Sequence, residues 1–158
     1  MNMSRCVPSQ TPFPIPDDEL LLLDNQLCFP LYSAANAVVR AYRPLLDALD
    51  LTYPQYLVMM VLWQQNAISV KTLGEKLHLD SGTLTPLLKR LESKGLVERR
   101  RSVTDERARE LWLTERGTAL REQALAVPKS MVCKFDLDID ELVMLKQLCE
   151  KVVGKLNG

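Results

Sequence analysis

The sequence predicts a mainly α-helical fold with a small β-hairpin attached, and three observations predict it. Leu84, Leu87, Leu88 and Leu91 recur at i, i+3, i+4 and i+7, which lines one buried face of a helix. Gly95 follows that helix as a glycine suited to the left-handed C′ position, with Leu96 as its apolar contact, so the helix should stop there. Beyond it, residues 96–101 begin extended and end basic, residues 102–107 are turn-like and charged, and Leu111 and Leu113 alternate onto one face. That is a hairpin with a charged tip.

The elements can be justified in chain order. Pro8, Pro12, Pro14 and Pro16 make residues 1–20 a mobile N-terminal arm without regular structure. Helical spacing starts near Leu27 and continues through Leu31, Val38, Tyr42, Leu45 and Leu49. Pro30 is welcome only in a first turn, so the start should lie close to residues 27–29, while Pro44 should kink or divide the helix later. LTYPQY at residues 51–56 is a turn followed by a third amphipathic helix with Leu57, Met60 and Val61 as its apolar residues. Val70, Leu73 and Leu77 mark a short helix joined through Leu79 and Asp80 to the leucine-striped one, whose opposite face carries Gly82, Pro86, Lys89, Arg90 and Ser93. Two short helices with a tight turn, the second basic outside, form a helix-turn-helix. With the hairpin as a wing, the fold is a winged helix-turn-helix. After Thr114 a long helix should run toward Cys133, bent by Pro128, and D-x-x-E at residues 138–141 starts a last helix striped by Leu142, Leu145, Leu148, Cys149, Val152 and Leu156.

Charge indicates the partner. Between residues 89 and 109 there are eight Lys/Arg against four Asp/Glu, while the 158-residue chain has a formal net charge of +0. A local basic excess in a neutral chain is a confined patch, and on a winged helix its partner is double-stranded DNA. The apolar stripes at both chain ends exceed what a winged-helix core needs, so a two-fold homodimer built from the terminal helices is expected to cover them. The expected organisation is one domain over residues 21–158. It holds the winged helix at about 54–114 and dimerisation helices at about 24–50 and 115–156.

Other classes fit poorly. No apolar run is long enough for a signal peptide or a membrane span, so a cytoplasmic protein without membrane contact is expected, its thiols reduced at rest. The four cysteines form no C-x-x-C and there is one histidine, which argues against a zinc site and a Cys-His or Ser-His-Asp catalytic pair, and with no P-x-x-x-T/S-x-x-C motif of a thiol peroxidase the chain is not expected to be an enzyme. His78 is expected as a solvated helix-end residue. No cofactor is called for.

Cys28 falls at the N-terminus of the first long helix, where the positive end of the helix dipole favours thiolate. Tyr32 lies one turn on and Tyr42 near the same face, but 14 residues at ~1.5 Å each separate Tyr42 from Cys28 by ~21 Å along the axis. If Tyr42 touches a Cys28, it does so across a dimer interface, and Tyr53 could converge from the same side. Phenol donors of this kind hold a thiolate or sulfenate. A small buried hydrophobe remains the alternative for such a cysteine, and interface packing for the tyrosines.

Residues about 24–114 resemble the MarR family of dimeric winged-helix regulators. The likeness rests on the wing pattern D-x-R…L-x-L-T, here Asp105 and Arg107 followed by LWLT at residues 111–114. Within the family the chain is most similar to the organic-hydroperoxide-sensing repressors of the two-cysteine type. That match is carried by LDNQLCFPLYSAA at 23–35, AYRPLL at 41–46, LTYPQYL at 51–57 and LDSGTLTPLLKRL at 79–91. The resemblance implies that Cys28 is the sensor, that Tyr42 and Tyr53 hydrogen-bond it from the other subunit, and that Cys133 is the thiol that bridges to oxidised Cys28 of the partner. Cys6 and Cys149 have no place in that scheme, Cys149 being expected to pack within its helix. The implied mode of DNA contact uses Ser81, Thr83, Thr85, Lys89 and Arg90 on phosphates or base edges and Arg107, oriented by Asp105, in a minor groove. Pro86 is expected to distort its helix locally if Ser81 is the cap, freeing N–H groups. The apolar surroundings of Cys28 favour an organic hydroperoxide as inducer. The alternative is a MarR-type repressor released by a noncovalent small aromatic ligand.

Overall fold

The computed structural model describes residues 15–102 and 108–157, so Cys6, Asp105 and Arg107 lie outside the described residues. The chain divides into two compact units, Met1–Arg40 and Ala41–Gly158. In the first, single 3-10 turns at Asp17–Glu19 and Leu23–Asn25 precede the start of the helix α1, Cys28–Asp47, whose residues from Ala41 on belong to the second unit. The turn at Asp17–Glu19 corrects the expectation of an arm without regular structure: Glu19 N–H donates to the Pro16 carbonyl at 2.9 Å, a local bond that needs no core. Pro30 sits in the first turn of α1, where no intrahelical N–H is required. Pro44 does not divide the helix, which continues to Asp47. It stands in the last turns, so its ring removes one bond, and Leu46, 1% exposed, anchors the turn beyond it.

In the second unit, α2 (Tyr53–Gln64) is fixed at its start by a capping box. Thr52 Oγ1 accepts from Gln55 N–H at 3.4 Å, Gln55 Oε1 accepts from Thr52 N–H at 3.1 Å, and Pro54 occupies the first turn. A two-residue strand β1 (Ile68–Ser69) leads into α3 (Val70–Leu77), then α4 (Ser81–Ser93) and the strands β2 (Val97–Arg101) and β3 (Arg109–Leu113). The sheet is antiparallel in the order β1-β3-β2, with Ile68 opposite Leu111 and Arg99 opposite Leu111 on the other side. The hairpin expected from the sequence is therefore two strands of a three-stranded sheet.

The core joins these pieces. Val58, Met59 and Leu62 of α2, Leu73 of α3, Leu84, Leu88 and Leu91 of α4, and Ile68 and Leu111 of the sheet are all within 2% of complete burial. Each such side chain contributes roughly 1.5–3 kcal/mol by leaving water. At Gly74 the turn between α3 and α4 is so tight that a β-carbon would lie 2.7 Å from the Leu79 carbonyl oxygen.

The segment after Thr114 forms α5 (Glu115–Ala124) and α6 (Ala126–Phe135), and Leu125 between them keeps helical dihedrals of φ −60° and ψ −26°, so the expected helical course toward Cys133 carries a one-residue interruption. Pro128 falls in the first turn of α6 and cannot donate back to Ala124, which interrupts the hydrogen-bond ladder at Leu125 while the backbone there stays helical. The last helix, α7 (Ile139–Leu156), starts as its D-x-x-E signal predicts. Asp138 accepts from Glu141 N–H at 2.9 Å, and Glu141 accepts from Asp138 N–H at 3.0 Å. No residue of α7 is buried, and Met144, Leu145, Leu148 and Val152 stand open to solvent. Cys149, expected to pack within that helix, is exposed too.

Candidate functional site

The arc of α4 opposite its leucines gathers one group of the residues singled out from sequence. Ser81, Thr83, Thr85, Lys89 and Arg90 are all exposed, while Leu84, Leu87, Leu88 and Leu91 hold the inner face. The cap is Asp80, not Ser81. Its carboxylate accepts from Thr83 N–H at 2.9 Å through one oxygen and from Thr83 Oγ1 at 3.0 Å through the other. These bonds from Thr83 hold the Asp80 carboxyl below its ordinary value. Thr85 Oγ1 donates to the Ser81 carbonyl at 2.7 Å. Both threonine hydroxyl protons are thus used within the helix, and outward each side chain offers acceptor lone pairs and a methyl group. The helix runs unbroken through Pro86, and what a proline frees is the carbonyl four residues back, not the N–H groups expected from the sequence.

At its far end α4 closes with a Schellman pattern, Leu96 N–H to Leu91 carbonyl at 3.1 Å and Gly95 N–H to Glu92 carbonyl at 2.9 Å, with Gly95 at φ 67°. His78 ends α3 in the left-handed region at φ 53° and is exposed, as its helix-end reading requires.

The basic patch is narrower than the count suggests. Arg99 pairs with Glu92 at 3.0 Å, and Arg100 pairs with Glu98 while lying 4.7 Å over the Trp112 ring. Lys94 meets the Asp50 carboxylate at 3.0 Å, the Asp50 carbonyl, and Gln55 Oε1 at 3.4 Å. Three of the cations therefore hold the fold together. Among the described residues, Lys89, Arg90, Arg101 and Arg109 have no carboxylate partner.

Cys28 is the first residue of α1 and is exposed, beside exposed Leu27, Phe29, Leu31 and Tyr32. Tyr42 and Tyr53 form a pair in the second unit, ring centroids 4.7 Å apart, with Tyr56 5.9 Å from Tyr42. Burial raises all three phenols above the ordinary 10.0, and for Tyr42 the neighbouring phenols add to it, so they stay protonated donors at neutral pH. Tyr32 belongs to the first unit. Cys133 lies on α6 and is exposed. Sequence reading missed Tyr56, and also Trp63, whose Nε1 donates to the Gly117 carbonyl at 2.9 Å. The aromatic spacing at Tyr53, Tyr56 and Trp63 was the available signal. No cluster of metal-ligating side chains occurs among the described residues, and no helix there is long and apolar enough to cross a membrane.

A capped, leucine-backed second helix with a polar outer arc, followed by a twisted hairpin, defines a winged helix-turn-helix protein. The MarR family model matches residues 51–108. The organic hydroperoxide resistance transcriptional regulator of Bacillus subtilis (strain 168) is 47% identical over 135 residues, covering 85% of this chain and 92% of that protein. The crystal structure of AbfR of Staphylococcus epidermidis matches with a TM-score of 0.70 at 36% identity, over 88% of this chain and 96% of that one. Reduced AbfR bound to DNA gives 0.70 at 35% identity over 88% and 96%, and disulfide-formed AbfR 0.59 at 34% over 89% and 93%. The chain belongs to the MarR family.

Proposed function

We propose that the chain is a homodimeric DNA-binding transcriptional repressor that releases its operator when Cys28 is oxidised by an organic hydroperoxide and bridged to Cys133 of the partner subunit. The observation that carries this reading is the exposed arc of Ser81, Thr83, Thr85, Lys89 and Arg90 on a helix anchored by four leucines. Reduced AbfR, at 35% identity, is described as bound to DNA. A helix so held enters a major groove rigidly, with Lys89 and Arg90 for phosphates or guanine edges and the threonine methyls for thymine. Asp105 and Arg107 would extend the contact into a minor groove from the wing.

The redox half of the proposal is supported by Cys28 at an exposed helix start among apolar side chains, and by the name of the 47%-identical relative. In the reaction, the Cys28 thiolate attacks the outer oxygen of the hydroperoxide, the O–O bond breaks, and an alcohol leaves after protonation. The sulfenic acid formed is then attacked by the Cys133 thiolate, giving a disulfide and water, as in an AbfR that is described as disulfide-formed. Tyr42 and Tyr53, held as neutral donors, would stabilise the thiolate and sulfenate across the subunit boundary, with Tyr32 one turn from the sulfur. Loss of those bonds shifts the terminal helices, and a change of several kcal/mol is needed to empty the operator, since ~1.4 kcal/mol is only tenfold.

The test is nonreducing electrophoresis beside a gel shift after an organic hydroperoxide. Wild type should form a disulfide-linked dimer and release DNA, Cys28→Ser should do neither, and Cys133→Ser should bind DNA but form no dimer band. Release by Cys28→Ser would rule the mechanism out. A second reading, release by a small aromatic ligand, has one observation in its favour: a cavity of about 440 Å³ lined by Tyr56, Met60, Trp63 and Arg121. Under that reading alkylated Cys28 leaves the peroxide response intact.

A further inference from the structure

On the wing, one cross-strand pair stands out because no carboxylate among the described residues pairs with either member. Arg101 on β2 lies directly opposite Arg109 on β3. The ladder fixes what kind of pair it is. Ser102 N–H donates to the Ala108 carbonyl at 3.0 Å and Thr114 N–H to the Leu96 carbonyl at 3.1 Å, so these outer pairs are hydrogen-bonded. Alternation then makes Arg101 and Arg109 a non-hydrogen-bonded pair, the kind whose side chains approach most closely. Like charges directly opposite destabilise a sheet.

The two faces of the hairpin differ. On one, Arg100 has Glu98 beside it, Glu110 across from it and Trp112 beneath it, and Ser102 Oγ donates to Glu110 at 2.7 Å. The other face begins at buried Val97 and Leu111, continues through Arg99, which reaches Glu92 of α4 at 3.0 Å, and ends at Arg101 and Arg109, both exposed. Two residues along a strand advance ~6.6 Å. The bare pair therefore emerges one step beyond the Arg99–Glu92 bridge, on the side of the wing turned toward α4.

We infer that Arg101 and Arg109 form a two-pronged clamp for one phosphodiester group of duplex DNA, on the strand running between the groove that receives α4 and the groove that receives the wing. This rests on the DNA-binding reading above and adds to it a phosphate site at the base of the wing. Two guanidinium groups on facing positions of adjacent strands repel one another, an anion bound between them removes that repulsion, and the fork geometry of each suits bidentate contact with a phosphate. Such a contact sets register and strength but carries no sequence information.

The test is binding to a random-sequence duplex of ~30 base pairs, long enough for two half-sites, across a salt series, with wild type, Arg101→Gln, Arg109→Gln and Arg109→Lys. Each glutamine variant should lower the slope of log affinity against log salt by about 1 per clamp in the dimer, and Arg109→Lys should restore it. Thermal midpoints should stay level or rise in the glutamine variants, because the repulsion is relieved. Unchanged slopes with wild type binding overturn the clamp alone, as does a fall in midpoint that tracks the loss of binding. Failure of wild type to bind any duplex overturns the DNA-binding reading and the clamp with it.

Discussion

Tyr42 and Tyr53 hold their rings 4.7 Å apart at a tilt of 44°, although one belongs to α1 and the other opens α2. Both phenols are pushed above their ordinary value of 10.0 by burial. A group whose folded value is raised contributes stability that is fully present below the unfolded value and lost as pH rises through the folded one. The thermal midpoint should therefore hold level from neutrality to about pH 10 and fall above it. Replacing both with Phe should flatten that alkaline fall, which thermal melts at stepped pH will show. An identical fall in the variant would detach it from these phenols.

Gly117 gives the second prediction. A β-carbon there would lie 2.1 Å from the Leu96 carbonyl oxygen and 3.2 Å from Leu113 Cδ2. The neighbour is backbone just beyond the end of α4, so it cannot swing aside. Gly117→Ala should cost about 2–3 kcal/mol in urea unfolding. Gly154→Ala in α7, where nothing lies within 4 Å, should gain about 0.5–1 kcal/mol. Equal stability of the two variants would show that the approach of α5 to Leu96 is looser than described.

The third prediction concerns assembly. Leu148 is 53% exposed and Val152 42% exposed on α7, beside Leu145 and Met144. Leu148→Glu should leave the helical circular dichroism unchanged, convert a dimer to a monomer in sedimentation velocity, and weaken duplex binding by removing one of two paired heads. A wild-type chain that sediments as a monomer would overturn the dimer reading.

The recognition helix was legible because each of its determinants is local. The i, i+3, i+4, i+7 leucines and the Gly95 stop are spelled out within one helix and its cap, and so are the D-x-x-E start of α7 and the position of Cys28 at the head of α1. What local pattern does not encode was missed or misplaced. β1 is two residues long and exists only because it pairs with β3, far along the chain. The interruption at Leu125 follows from the N–H that Pro128 lacks, and the spacing shows that residue without showing which turn it opens. Asp80 and Ser81 are both good caps, and their order in the sequence does not say which of them leads the helix. The candidate site was legible as a set of residues but not as a charge balance. Nothing near Lys94 or Arg99 in the sequence says that Asp50 or Glu92 will consume the charge.

That consumption shapes how the head can move. Lys94 grips the Asp50 carboxylate and carbonyl and the buried Gln55 amide, so the tail of α4 is riveted to the corner that starts α2. A helix pinned at that point does not swivel in its groove by itself. Under the proposed function, a motion that lifts α4 from DNA would carry α2 along, so that release re-aims the head as a unit and leaves the reading surface intact for the next grip.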